Sequence, residues 1–481
     1  MKKSFKKSFS FILAVLMVFS FSFLFSYAGN EEISRVNCSI FESGAYGRGF
    51  CWSTKTKSAS NVQIVKKADF DEDFSKAVIY SGTCKLYRLR YSHKVSVTNL
   101  EAGTEYIYRV GDASKDFWSE NGKFVTDDKD DSFSFITIAD IQADSDEAFE
   151  ISNLTAEAAL KTMPEAEFSV CLGDYVNNNT NEEWDSYFNY FKDYNYSITQ
   201  VPVAGNHDSS ITNKLNSFCF ENMFCVDESK NQWIDGVYYS FDYGNAHFAV
   251  LNTNDMFPMS QAQRNWLIND MSNSDATWKI ILAHRSLYSA GKNINKPDTI
   301  VMRKVLLPII DELGIDVFYA GHDHMYLRTP PVYADERTDV TYITENYNGQ
   351  ETTFALNPKG TIHTLPSTAG MKRYPVNEKA VSPILDVADK VFSTQTEGGC
   401  FCTTKIGGDK LIYKAYTVDD ETQKITKVDE FAIKKTEKKE CIEPTELSEE
   451  LSTTLYEFPK NFLSAIADMI FSYVLLLIDM I

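Results

Sequence analysis

Five short apolar segments between residues 136 and 321 each end abruptly in a side chain that can bind a metal ion. They alternate with helical patterns, and this alternation predicts a layered α/β domain whose sheets are covered by helices. The carboxyl ends of strands in such a sheet converge on one crevice, so we expect these side chains to meet around one point. The residues that follow the five segments are Asp140; Asp174; Asn206, His207 and Asp208; His284; and His322 and His324.

This combination of carboxylates, imidazoles and one amide suits two divalent or trivalent ions. Imidazole and carboxylate favour zinc, iron or manganese, and a bridging carboxylate holds two ions roughly 3.5–4 Å apart. Any one of these residues is explained equally well by a strand cap or a buried hydrogen bond. However, four of the chain's seven histidines fall in these motifs. The five motifs together therefore predict a two-metal site.

The order and approximate spacing of the motifs resemble those of the calcineurin-like metallophosphoesterases. Within that family the chain is most similar to the purple acid phosphatases, because a segment resembling their fibronectin-like N-terminal domain precedes the motifs. The resemblance implies an α/β/β/α sandwich behind an all-β, fibronectin III-like sandwich. The motifs that carry it are Asp140-Ile141-Gln142, Gly173-Asp174, Gly205-Asn206-His207-Asp208, Ala283-His284 and Gly321-His322-Asp323-His324.

The resemblance also implies a role for each site residue. The activity it implies is hydrolysis of a small phosphate ester by a water molecule that two metal ions activate. His207 would stabilise the transition-state charge or protonate the leaving group, and Asp208 would orient His207. Arg285 and Arg328 follow metal-ligand segments, and their position alone makes them candidates for phosphate contact, although a salt bridge that supports the loops is the favoured interpretation. The first metal would be held by Asp140, Asp174 and His324, and the second by the bridging Asp174 with Asn206, His284 and His322.

The chain departs from the family pattern at two positions near the first metal. Many members have a histidine where this chain has Gln142, whose amide oxygen is a weaker ligand. The purple enzymes have a tyrosine ligand where this chain has Asn177, and the adjacent Tyr175 is expected to point elsewhere. We therefore expect weaker binding of the first metal and no tyrosinate-to-iron colour.

Composition shifts divide the chain into four parts. Residues 1–28 read as a signal peptide, because four lysines precede an apolar stretch that ends in Ser26-Tyr27-Ala28. Residues 29–127 alternate in the manner of short β-strands and predict the all-β domain. The catalytic domain is predicted over residues 132–434, with an insert at about 330–360. Residues 435–481 comprise a charged linker and an apolar tail, and residues 462–481 are a candidate for membrane or surface association.

The charge and the leader indicate an exported protein that does not bind nucleic acid. Loss of the leader's four lysines changes the formal net charge from −20 to −24, and phosphate backbones require clustered cations instead. The nine cysteines, an odd number, leave their pairing open. The substrate, the metals and the oligomeric state also stay open. The alternative to an enzyme is a secreted binding or surface protein that keeps the fold with a weakened site, as Gln142 and the tail suggest.

Overall fold

The computed structural model describes residues 32–208, 219–227, 237–254, 259–377, 389–392 and 398–437. The predicted leader, residues 1–28, and the apolar tail, residues 462–481, lie outside the described residues. Among the residues that are described, no helix combines the length and the apolar character needed to cross a bilayer.

The N-terminal domain is a β-sandwich. Strands β5, β6, β2 and β1 form one antiparallel sheet, and β4, β3 and β7, with β8 and β9 both paired to β7, form the other. Alternate residues point inward, and rings such as Phe50 and Tyr108, whose centroids lie 4.9 Å apart, fill the core. The strands are β1 (Ile33–Phe41), β2 (Ser43–Thr54), β3 (Asn61–Lys66), β4 (Val78–Ser81), β5 (Thr83–Tyr87), β6 (Arg90–Val97), β7 (Glu105–Asp112), β8 (Phe117–Trp118) and β9 (Gly122–Val125).

The second domain alternates strands and helices as the sequence predicts. Hydroxyl side chains cap its first two helices, because Ser145 accepts from Ala148 N–H and Thr180 from Glu183 N–H. Its elements are β10 (Ser132–Ile138), α1 (Asp146–Thr162), β11 (Phe168–Cys171), α2 (Asn181–Tyr190), α3 (Lys192–Ser197), β12 (Thr199–Pro202), α4 (Cys219–Met223), β13 (Tyr239–Tyr243), β14 (Ala246–Val250), α5 (Gln261–Ser272), β15 (Trp278–Arg285), α6 (Pro297–Glu312), β16 (Val317–Gly321), β17 (Tyr326–Arg328), β18 (Val332–Tyr333), β19 (Glu336–Arg337), β20 (Thr341–Tyr347), β21 (Gln350–Leu356), β22 (Ile362–Pro366), β23 (Lys390–Phe392), β24 (Gly399–Gly407), β25 (Lys410–Val418) and β26 (Ile425–Lys434).

Two sheets pack face to face in this domain. The first has the order β26, β25, β24, β10, β11, β12, and β10 to β12 are parallel. The second has the order β13, β14, β15, β16, β22, β17, β23, and β14, β15, β16 and β22 are parallel. Phe135 of the first sheet contacts Phe248 and Tyr319 of the second at 5.7 and 5.9 Å between ring centroids. With α1 against the first sheet and α5 and α6 packed with the second, the predicted layered α/β sandwich and its all-β N-terminal domain are confirmed.

The carboxyl ends of the parallel strands lie at one edge of the second domain. Tight turns follow β10, β11 and β16, and in these turns Asp140, Asp174 and His322 take positive φ values of 52°, 56° and 75°. Non-glycine residues rarely adopt this conformation, and such residues concentrate at functional sites. Gly173 allows a close approach of the turn to the ligand His284, since a Cβ there would lie 2.7 Å from His284 Nδ1. The turns thus bring the polar side chains together.

Three details of the second domain were not evident from the sequence. The helical segment between β11 and β12 is divided into two helices, α2 and α3, because the chain leaves helical geometry at Phe191. The insert at about 330–360 contains a hairpin, β20 and β21, that extends the first sheet through pairing of β21 with β26. Lys435, expected to begin the linker, is buried.

Candidate metal centre and active site

Two groups of three side chains meet at the carboxyl edge of the sheets. One consists of Asp140, Asp174 and His324, and the other of Asp174, His284 and His322. Within each group the donor atoms lie within 4.8 Å of one another. Asp174 belongs to both groups, as a carboxylate that bridges two ions must. The structure thus brings five of the six predicted ligands into two overlapping clusters.

The sixth predicted ligand, Asn206, lies in the second group. Its Oδ1 is 3.0 Å from His284 Nε2, which is 3.2 Å from His322 Nδ1 and 3.3 Å from Asp174 Oδ2. In the first group, His324 Nε2 lies 3.5 Å from Asp140 Oδ1. All six predicted ligands therefore occupy one continuous site.

Backbone carbonyls orient two of the ligand imidazoles. His284 Nδ1 donates to the carbonyl oxygen of Leu172 at 2.8 Å, and His324 Nδ1 donates to that of Lys372. A carbonyl oxygen only accepts, so each Nδ1 carries a proton, and in the neutral ring each Nε2 offers its lone pair to an ion. This arrangement is typical of metal-ligating histidines.

The electrostatics of the site are those of a cation site. Burial would raise the pKa of Asp174, but His284 and His207 lower it to about 2. Burial would likewise lower the pKa of His284, but Asp174 and Asp140 raise it to about 9. Both shifts have the same cause, because two buried carboxylates stabilise positive charge at this point. A pair of bound metal ions would supply that charge.

The two departures from the family pattern are visible in the structure. Gln142 is buried, and its Oε1 has no hydrogen-bond partner among the described residues. This is expected of an oxygen that is available to bind a metal ion. Tyr175 points into an aromatic core and packs against Tyr187 and Phe224, 5.2 and 5.1 Å away between centroids. Asn177, in the tyrosine ligand's position, bonds through its side chain to Asp144 and Lys372. The donor set thus fits two metal ions without a tyrosine ligand.

His207 lies beside the bridging carboxylate, but Asp208 does not orient it as predicted. The His207 backbone N–H donates to Asp174 Oδ1 at 2.8 Å, and His207 Nδ1 donates to the Asn177 carbonyl oxygen at 2.6 Å. The Asp208 carboxylate turns inward and accepts backbone N–H groups from Gly205, Asp174 and Tyr175, each at 2.8 Å. The role assigned to Asp208 is therefore corrected: it fixes the backbone of the Gly173-Asp174 turn.

The two candidate phosphate-binding arginines differ. Arg285 Nη1 lies 3.3 Å from His322 Nε2 and 3.0 Å from Asp298, so its guanidinium borders the second ligand group. The side chain of Arg328 is held by Asp429 at 2.7 Å and by Asp389 at 3.1 Å. These ion pairs agree with the salt-bridge interpretation of Arg328. Phosphate contact by Arg328 stays a prediction.

Sequence reasoning missed the segment from Lys372 to Tyr374. Besides the Lys372 carbonyl, Tyr374 contacts His324: its N–H donates to the His324 carbonyl oxygen at 2.9 Å, and its ring stacks on the imidazole at 4.4 Å. The segment follows β22, which is parallel to β16 and ends at the same edge. Its position after a parallel strand is the feature of the sequence that could have indicated a role in the site, because the segment contains no strong metal ligand.

Comparison with known proteins agrees with this geometry. Residues 133–326 match the family model described as "Calcineurin-like phosphoesterase", and residues 42–126 match "Purple acid Phosphatase, N-terminal domain". The chain carries a calcineurin-like phosphoesterase domain behind a purple acid phosphatase N-terminal domain. The predicted resemblance is confirmed by these two matches in their expected order. The likeness of the N-terminal domain to fibronectin III stays a prediction.

Similar proteins are named as phosphatases. Purple acid phosphatase 1 of Ipomoea batatas is 25% identical over 310 residues, which cover 60% of this chain and 63% of that protein. Acid phosphatase type 7 of Mus musculus is 23% identical over 351 residues, which cover 66% of this chain and 74% of that protein. The chain thus spans just under two thirds of the plant relative. The purple acid phosphatase PPD1 structure from yellow lupin shares the fold with a TM-score of 0.64 at 16% identity, covering 85% of this chain and 75% of that one.

Proposed function

We propose that this protein is an exported, metal-dependent phosphoesterase that hydrolyses small phosphate esters. The observation that carries the proposal is the position of Asp174, which the two groups of ligand side chains share. Relatives named as purple acid phosphatases, and a family whose members are phosphoesterases, support it. The identity of the metals, iron, zinc or manganese, is part of the proposal.

The chain's own residues supply binding, orientation and a proton. A metal pair held by Asp140, Asp174, Asn206, His284, His322 and His324 would polarise the phosphate and lower the pKa of a water molecule. The Arg285 guanidinium borders the second ligand group, where it can donate to a phosphate oxygen. His207 keeps its Nδ1 proton on the Asn177 carbonyl, so Nε2 is the nitrogen left to serve the leaving-group oxygen.

The test compares the wild type with Asp174→Asn, which keeps the shape of the shared ligand but removes its charge. The full sequence is expressed, and protein recovered from the medium is expected to begin at Gly29 if the leader is removed. It is supplied with iron, zinc or manganese and assayed with p-nitrophenyl phosphate and bis-p-nitrophenyl phosphate. We expect metal-dependent turnover that falls at least ~100-fold in the variant, because both ions lose the negative charge of the carboxylate that they share.

The two substrates separate monoesterase from diesterase activity, and metal analysis accompanies the assay. Folded wild-type protein that binds none of the three metals and turns over neither ester would refute the proposal. It would favour the binding-protein alternative instead.

A further inference from the structure

We propose that Lys372 is a positioning residue, whose ammonium group fixes His207 through Asn177 while its backbone carbonyl orients the ligand His324. The inference rests on the proposed function, because it assigns a role within the same site. Neither the motif pattern nor the matched family segment, which ends at residue 326, includes Lys372.

The Lys372 side chain holds Asn177 in place. Its Nζ donates to Asn177 Oδ1 and lies 3.4 Å from Asp144 Oδ2. The same Asp144 oxygen accepts from Asn177 Nδ2 at 3.2 Å. Both ends of the Asn177 amide are therefore held, one by a cation and the other by an anion, and charge-assisted hydrogen bonds are the stronger kind.

The fixed Asn177 in turn sets the ring of His207. The acceptor is the backbone carbonyl oxygen of Asn177, to which His207 Nδ1 donates its proton at 2.6 Å. This bond selects the tautomer and the ring orientation, because an oxygen acceptor requires a protonated Nδ1. Movement of Asn177 would displace that acceptor. Lys372 thus acts on His207 indirectly, through Asn177, and does not itself contact the substrate.

The backbone of Lys372 is held independently of its side chain. On its C-terminal side, the Arg373 guanidinium binds both oxygens of Asp420 at 2.6 and 2.7 Å. Tyr374 stacks on His324 and donates its N–H to the His324 carbonyl. Removal of the ammonium should therefore leave the carbonyl contact to His324, and with it the first metal, unchanged.

The chemical consequence lies at the leaving group. During hydrolysis, a water molecule loses a proton to solvent and its oxygen bonds to phosphorus. The ester P–O bond breaks with its electron pair on the departing oxygen, which takes the Nε2 proton of the doubly protonated His207 ring, while the Nδ1 proton stays on the Asn177 backbone carbonyl. A good leaving group such as p-nitrophenolate departs with little protonation, whereas an alkoxide requires it. Loss of the Lys372 ammonium should therefore impair alkyl esters selectively.

The experiment compares Lys372→Met and Lys372→Arg with the wild type, using p-nitrophenyl phosphate and glycerol 2-phosphate. For Lys372→Met we expect kcat to fall ~10-fold or more on glycerol 2-phosphate and less than ~3-fold on p-nitrophenyl phosphate, with KM and metal content unchanged. Lys372→Arg should restore most of the loss. Lys292→Met is the matched control, since it removes an exposed cation lying 4.1 Å from the Tyr374 ring without any contact to Asn177.

A double-mutant cycle with His207→Ala tests the route. If Lys372 acts through His207, then Lys372→Met adds no further loss in a His207→Ala background. Additive losses, equal losses on both esters, or loss of metal in Lys372→Met would overturn the inference while leaving the proposed function intact. A wild type without metal-dependent turnover would instead count against the proposed function.

A measurement that does not depend on turnover completes the test. In protein with ¹⁵N-labelled histidine, measured at a pH where the His207 ring is neutral, the ring signals should show a protonated Nδ1 in the wild type and in Lys372→Arg. They should show a mixture of tautomers in Lys372→Met. Ring signals that are identical in all three proteins would refute the positioning role.

Discussion

The histidines outside the site show how the partners of a ring decide its charge. His363 packs between Tyr288 and Phe318, and its buried ring nitrogens have no hydrogen-bond partner among the described residues. Burial lowers the pKa of this ring to about 3. Burial likewise lowers the pKa of His93 to about 4. His247 is also mostly buried, but it lies between two carboxylates. The sequence alone does not distinguish the two neutral rings from the charged one.

His247 should stabilise the fold in a pH-dependent way. Its Nδ1 contacts Asp242 at 2.6 Å and its Nε2 contacts Asp270 at 2.8 Å. Burial would lower the pKa of His247, but these carboxylates raise it from 6.5 to about 9. A raised folded-state pKa stabilises fully below the unfolded value of 6.5, and the stabilisation disappears as pH rises through 9. In urea unfolding, we expect His247→Gln to cost about 1 to 2 kcal/mol more at pH 7.5 than at pH 10.

His93→Gln is the matched control for this prediction. The wild-type ring is neutral from pH 7.5 to 10, since its pKa is about 4, so the cost of this variant should not change over that range. A cost of His247→Gln that is equally independent of pH would show that His247 is not charged in the folded protein.

At the scale of the elements, the ends of strands were predictable and the contacts between loops were not. Apolar runs in the sequence predict β10, β11, β15 and β16, and the ligands lie within three residues of the ends of these strands. The inward turn of Asp208 depends on backbone N–H groups of a loop about 30 residues earlier in the chain, which its own motif does not reveal. The contacts of the Lys372 segment were likewise not predictable from the sequence, because a backbone carbonyl and a lysine ammonium make them.

The end of β26 is attached to the second sheet by a buried ion pair. Lys435 Nζ lies 2.9 Å from Asp316 Oδ2, with the two side chains 5% and 1% exposed, and it also donates to the Thr277 carbonyl. We expect Lys435→Met to cost about 3 to 5 kcal/mol in urea unfolding, because the Asp316 carboxylate then stays buried without its cation.

Two further variants separate this effect from a general loss of charge. Lys434→Met removes the neighbouring, more exposed pair with Glu345, and should cost less than about 1 kcal/mol. Adding Asp316→Asn to Lys435→Met should recover part of the loss, since the buried anion is then absent. Equal costs for the two single lysine variants would contradict the buried-pair explanation.

At the scale of the whole molecule, the N-terminal sandwich and the catalytic domain share structure. Strand β1 pairs with β12 at Ser39 and Gln200, so the sheet of one domain continues into the first sheet of the other. The side chains of Cys51 and Ser92 contact the carbonyl of Asn222 from the catalytic domain. A continuous sheet and side-chain contacts of this kind favour one cooperative unit over two independent domains.

Asp185 of α2 lies at the centre of this junction and provides its test. It accepts from Arg35 Nε at 2.8 Å and also from Arg90, and the Arg35 side chain is only 3% exposed. Asp185→Asn leaves that buried guanidinium without its anion, so we expect the melting temperature to fall by about 2 to 4 °C. Asp193→Asn, at an exposed position in α3, should change it by less than about 1 °C.

Because the domains share a sheet, the wild type should unfold in one transition by both tryptophan fluorescence and far-UV circular dichroism. Two resolved wild-type transitions would show that the domains unfold separately.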